Sequence, residues 1–197
     1  GYKQLQKALA KMPDRFEVGL HWHPFELNPH MPPEGQNLRE HLAQKYGTTP
    51  EGSRAARQRL TDLGQSLGFS FNYDDDMRML NTFQAHQLLH WAGEQGQQTD
   101  LKLALFEAFF SRREDVSDVE TLVTVAGRVE LPPDEARAVL DDGRYADTVR
   151  SEQQLWLDRD VHAVPTFVFN NKFMVPGAQE AETFIRVLDK LAASEAA

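Results

Sequence analysis

The sequence predicts an α/β protein with a large all-α insertion, and three observations carry that expectation. Apolar and polar residues alternate over residues 16–22, the period of a strand. Helical spacing then dominates to about residue 157, and strand character returns only at Thr166. The predicted order is therefore α-β, a long run of helices, then β-β-α.

Each element has its own signal. Leu5, Ala8, Leu9 and Met12 recur at helical spacing, and Pro13-Asp14 closes that helix. Phe16, Val18, Leu20 and Trp22 alternate with Glu17, Gly19, His21 and His23 as a strand, and Pro24 ends it. Residues 25–36 carry three prolines and a glycine and read as an irregular loop. Thr49-Pro50-Glu51 supplies an N-cap and a first-turn proline for a helix to about Leu67, with Gly68 ending it. Asp74 to Asp76 are expected to cap a helix running from Met77 through Leu80, Phe83, Leu88 and Trp91 to about Gly93. Thr99-Asp100 opens one bearing Leu101, Leu105, Ala108 and Phe109. Ser117-Asp118-Val119-Glu120 reads as a capping box before Leu122, Val123 and Ala126. Pro132-Pro133 opens a helix to about Leu140, and a further helix spans Tyr145 to Leu157. Asn170-Asn171, two residues that tolerate positive φ, should turn a hairpin between residues 166–169 and 173–175. The last helix runs from about Glu180 through Phe184, Val187, Leu188 and Leu191, and the Ala/Ser/Glu tail after it is expected to fray.

Composition narrows the function. The 197 residues can bury a substantial core, and no apolar stretch approaches the ~20 residues that span a bilayer. With 21 basic against 30 acidic residues the net charge of −9 opposes a phosphate backbone, and the basic group Lys45, Arg54, Arg57 and Arg59 reads as the solvated face of a helix. Neither nucleic-acid nor membrane partners are expected. There is no cysteine, hence no disulfide framework. The chain enters a helical pattern at once without an initiating Met, so residues are expected upstream of Gly1.

Few residues carry chemistry by spacing alone. His21 and His23 share a strand face, and His86 and His90 share a helix face, yet neither pair has further ligands in the local sequence. Gln87 stands where a zinc-protease helix has its glutamate, so no metal is expected. Asp74 to Asp76 lack the spaced oxygens and glycine of a calcium loop. Phe106, Phe109 and Phe110 are core aromatics, and no cofactor is needed to explain them. Pro165 is permitted as the first residue of a strand, where the base rate favours a trans bond.

Four blocks together are more specific: His23-Pro24-Phe25-Glu26-Leu27-Asn28-Pro29; Asn81-Thr82-Phe83-Gln84-Ala85-His86; Ala104-Leu105-Phe106-Glu107-Ala108-Phe109-Phe110; and Ala163-Val164-Pro165-Thr166-Phe167-Val168-Phe169 with Val175-Pro176-Gly177-Ala178-Gln179. The chain resembles the DsbA-like branch of the thioredoxin superfamily, and within it the FrnE-type oxidoreductases near the 2-hydroxychromene-2-carboxylate isomerases. The resemblance implies a thioredoxin-like fold, βαβ followed by ββα, with its first strand missing from this chain. It divides the chain into a thioredoxin-like domain, residues 1–30 and 160–193, and a helical insertion, residues 31–159.

The same resemblance implies the activity. FrnE-like proteins carry Cys-Pro-Trp-Cys at the N-terminus of the first helix, and Gly1-Tyr2-Lys3-Gln4-Leu5 looks like its continuation. The dithiol is therefore expected upstream of Gly1, leaving no catalytic residue in this chain. Val164-Pro165 is implied to be cis, with the Val164 backbone offered to an extended, cysteine-containing polypeptide. His23, Phe25, Asn28, Asn81 and His86 are implied to line the substrate groove, with packing against the helical insertion the alternative for Phe25 and Asn28 and an ordinary helix-surface histidine the alternative for His86, while Leu27 is expected to pack. Glutathione is a second candidate partner, through a glutathione-dependent isomerase or transferase of the same fold; a non-catalytic binding module is a third reading. FrnE-like proteins imply a cytoplasmic location, with the periplasm as the alternative.

Overall fold

The computed structural model describes residues 1–195. In chain order, α1 spans Tyr2–Ala10, β1 Gln36–Asn37, α2 Leu38–Tyr46, α3 Pro50–Ser66, β2 Arg78–Met79 and α4 Phe83–Glu94. Then come α5 Gln98–Phe106, a π-helical turn at Glu107–Ser111, α6 Val119–Arg128, α7 Pro133–Asp142 and α8 Ala146–Asp158. β3 Thr166–Phe169, β4 Phe173–Pro176 and α9 Ala181–Glu195 complete the described elements. Two compact units result: Gly1–Leu20 with Leu157–Ala197, and His21–Trp156. Residues 21–30 thus group with the helices of the insertion.

In the first unit, α1 and α9 pack through Leu5, Ala8, Ala181 and Phe184, with Phe167 and Phe169 of β3 against the same cluster. Phe184 is fully buried, its ring edge-on to Phe167 at 4.7 Å. Gln4 Oε1 accepts from the Ala181 amide at 3.2 Å, satisfying a donor at the start of α9. Lys11–Glu182 at 2.6 Å and Arg15–Asp189 at 2.9 Å flank the packing on the exposed side. β3 and β4 are antiparallel with Phe169 opposite Phe173, and Asn170 and Asn171 both take positive φ, as expected of the turn.

The second unit is built on α4 to α7. Leu88, Leu101, Leu122, Val125 and Val139 are fully buried in one cluster with Trp91. Thr49 caps α3 by accepting from the Gly52 amide at 3.1 Å, with Pro50 in the first turn. Near its end, α3 meets the chain returning through Phe69 and Phe71; a Cβ on Gly64 would lie 2.6 Å from both the Phe69 carbonyl oxygen and the Phe71 ring, so the position requires glycine. β1 and β2 pair antiparallel and tie the loop ahead of α2 to the segment ahead of α4.

The structure corrects several expectations. Residues 16–22 form no ladder among the described residues, and Val18 and Leu20 are exposed. Alternation makes a chain suited to a half-buried sheet but supplies no partner strand. α4 begins at Phe83, not Met77, because residues 78–79 are drawn into the pair with β1. The aspartates before it cap nothing: the Asp76 amide bonds Asp74 Oδ1 at 3.0 Å, and Asp75 pairs with Arg57 at 3.2 Å and Arg39 at 3.3 Å. Arg57 is therefore not solvated, its guanidinium also donating to the Asp74 carbonyl at 2.9 Å.

Three smaller corrections follow. Asp118 rather than Ser117 caps α6, accepting from the Thr121 amide at 2.9 Å, while Glu120 turns outward to Arg137. α9 continues to Glu195 instead of fraying after Leu191, while residues 196–197 of the tail lie outside the described residues. Leu27 is 41% exposed rather than packed.

Phe184→Ala removes the ring on which α1, α9 and β3 converge. It should lower the free energy of unfolding by about 3–5 kcal/mol in urea denaturation. A loss below about 1 kcal/mol would show that this ring is not the core of its unit.

Candidate functional site

The first unit holds the Val164-Pro165 element. Val164-Pro165 is cis, as the resemblance implied and against the base rate. Val164 is exposed, and its backbone amide and carbonyl have no hydrogen-bond partner among the described residues. The Pro165 carbonyl, by contrast, accepts from the Gly177 amide at 2.7 Å, which closes the base of the hairpin. The start of α1 lies against this element: a Cβ on Gly1 would be 3.0 Å from Pro165 Cγ and 3.1 Å from Phe167 Cζ. α1 has no acidic residue in its first turn and no side-chain cap. No side chain of its own first turn compensates the positive end of its dipole, which lies next to Pro165, and a helix N-terminus of this kind favours an anion.

The other candidates, in the second unit, are mostly internal struts. Asn81 donates to the Met31 carbonyl at 2.8 Å and accepts from the Phe83 amide at 3.0 Å, pinning the 25–36 loop to the start of α4. Asn28 accepts from Lys45 Nζ at 2.6 Å and lies 3.1 Å from His41 Nε2. Phe25 is half-buried, and its backbone hydrogen-bonds His86. His86 is itself buried, neither on an open groove nor on the helix surface. Burial, with the nearby Lys102 charge, pushes its pKa down to about 3 against the opposing bond from Phe25. Lys102 is held over the rings of Phe106 at 4.8 Å and Trp22 at 5.7 Å, and burial lowers it to about 8. The cavity beside these two groups is only about 10 Å³, too small for a peptide side chain.

His23 belongs to a different constellation. Its Nδ1 is hydrogen-bonded to Glu152 of α8, its ring lies 4.7 Å from that of His21, and Trp156 packs beneath it at 4.6 Å. His90 Nδ1 is 3.8 Å from the other oxygen of Glu152. Burial raises the Glu152 carboxyl, but the His23 bond and the charges of His23, His90 and His21 outweigh it and hold the group below the ordinary carboxylate range. His21 is pushed below the ordinary histidine value by burial and by His23, with Glu152 opposing. The local sequence offers no further ligand for the His21–His23 pair, and the fold supplies Glu152. Nothing in the pattern of α8 singles out that residue, and Lys102 was equally hidden.

This geometry places the chain in a class, a thioredoxin-like fold with a cis-proline loop at the start of a helix. Comparison with known proteins gives the family. The profile of the DSBA-like thioredoxin domain matches residues 1–189, so the chain belongs to the DsbA-like thioredoxin-fold oxidoreductase family. The chain is similar to a solved structure from Streptomyces coelicolor described as the probable DsbA oxidoreductase SCO1869. The two share 32% identity at a TM-score of 0.88, over 96% of this chain and 82% of that one. It is also 24% identical to the uncharacterized protein YwbO of Bacillus subtilis (strain 168), over 87% of this chain and 82% of YwbO. A structure from Nitrosomonas europaea at 14% identity, with a TM-score of 0.61 over 79% of this chain and 88% of that one, shares the fold.

Because His86 stays neutral in the folded protein while the unfolded chain protonates at the ordinary 6.5, the unfolded state binds one more proton between that pH and about 3. Stability should therefore fall as pH drops below 6.5, by about 1.4 kcal/mol per pH unit from this residue. His86→Gln should show a shallower decline by that amount in denaturation series at stepped pH. Identical slopes would show that His86 protonates within the folded protein.

Proposed function

We propose that this chain is the body of a FrnE-type thiol-disulfide oxidoreductase or isomerase that acts on cysteine-containing polypeptides through a Cys-x-x-Cys dithiol preceding Gly1. The observation that carries the reading is the packing of the α1 N-terminus on Pro165 and Phe167. A cysteine pair just ahead of α1 would sit at the positive end of the helix, beside Val164, whose backbone is unpartnered among the described residues.

The chemistry follows from that position. The helix dipole lowers the pKa of the first thiol and populates its thiolate. The thiolate attacks one sulfur of a substrate disulfide, forming a mixed disulfide and releasing the other substrate sulfur as thiolate. The second cysteine then attacks the mixed disulfide, so two electrons pass from dithiol to substrate. Run in reverse, the same steps oxidise a substrate dithiol. Throughout, the substrate is held as an added strand on the Val164 backbone, which suits many sequences because the bonds are to main chain.

The test uses the full-length protein in a dithiothreitol-driven insulin reduction assay, beside a variant with both upstream cysteines changed to serine. The native protein should speed reduction and the variant should fall to the uncatalysed rate. Equal rates overturn the reading. A lone upstream serine with glutathione-dependent turnover would replace it with an isomerase or transferase, and absence of both would leave a binding module.

A further inference from the structure

We infer that His21, His23 and Glu152 form a binding site for a borderline divalent transition cation of the Zn²⁺ class. One ligand atom from each residue lies within 4.8 Å of those of the other two. A tetrahedral ion with bonds of roughly 2.1 Å needs donors about 3.3–3.5 Å apart, so closure asks for side-chain movement of about 1 Å and no change of backbone. His21 and His23 are exposed and can make that movement.

The three residues are held in place by neighbours that take no part in the site. Trp22, between the two histidines, is clamped to the start of α5. Its amide donates to Gln98 Oε1 at 2.9 Å, its carbonyl accepts from Gln98 Nε2 at 2.9 Å, and its indole donates to Thr99 at 3.0 Å. The next turn of chain is strapped to α8 by Gln153, which accepts from the Glu26 amide at 2.9 Å and donates to its carboxylate at 3.1 Å. Trp156, one helical turn beyond Glu152, supplies the apolar floor under His23. An ion pair on a surface needs no such scaffold, since exposed pairs contribute little.

The donor set decides the ligand. Two imidazoles and one carboxylate suit Zn²⁺, Co²⁺ or Ni²⁺, whereas Mg²⁺ and Ca²⁺ favour all-oxygen sites. Three protein ligands leave at least one coordination position open. A shallow surface depression lined by His90, Ser151 and Glu152, with Asp147 at its edge, lies on this side of the site and is open to water. His90, 3.8 Å from the far oxygen of Glu152, is placed to orient that carboxylate.

The test is a Zn²⁺ titration by calorimetry of the full-length protein, tag removed and any cysteine alkylated so that thiols cannot contribute. Co²⁺ absorption reads the coordination. One equivalent should bind, and Co²⁺ should show the visible bands of an imidazole and carboxylate site. His21→Ala and Glu152→Gln should each weaken binding by about 100-fold. His162→Ala, in the other unit, should leave it unchanged. His21 has an exposed side chain and no hydrogen bond in the site, so its variant should fold if that of Glu152 does not. Absence of saturable binding, or equal affinity in His21→Ala, overturns the inference.

Discussion

A stretch of extended chain outside any sheet must still satisfy its backbone hydrogen bonds, and residues 21–26 do so in part through two glutamine side chains. Gln98 takes both the amide and the carbonyl of Trp22, and Gln153 takes the amide of Glu26. A carboxamide has one donor group and one acceptor, so it substitutes for the edge of a neighbouring strand. Unpaired, these groups would cost about 1–3 kcal/mol each where they are buried. Much of what is chemically distinctive in the second unit depends on this arrangement. The His86 contact with Phe25, the position of Lys102 over Trp22 and the meeting of His23 with Glu152 all follow from it.

The first unit reaches its chemistry by another route. α1 and α9 close around Phe184, and β3 is pressed onto the same ring. That packing alone brings the start of α1 to Pro165. A helix dipole, a cis-proline and a main-chain segment whose polar groups are unpartnered among the described residues are then assembled in one place. The thiol exchange proposed above would use such a setting, to lower a thiol pKa and to hold a peptide nearby. Family membership and local geometry point the same way.

Much of this was legible in residue order. Thr49-Pro50 announced α3, Pro132-Pro133 announced α7, and Asn170-Asn171 announced the hairpin, because caps and positive-φ turns are decided within a few residues. The cis form of Val164-Pro165 was legible only by family likeness. The misreadings have a common cause. A strand at residues 16–22, a helix start at Met77 and an exposed Arg57 each follow from local pattern, and each turns on whether a partner elsewhere in the chain is present, which residues 16–22 lack among the described residues. β1 claimed residues 78–79, and Asp74 and Asp75 claimed Arg57.

The sequence by itself determined the fold class, most helix boundaries, the turn and the family, since periodicity and capping are local properties of the chain. Only the tertiary structure decided which polar residues meet. Glu152 lies 129 residues from His23, and His86 is buried with a hydrogen bond to the Phe25 backbone, 61 residues earlier in the chain. Burial and long-range pairing set the charge state of a histidine or carboxylate, and neither is written in the spacing of residues along one helix.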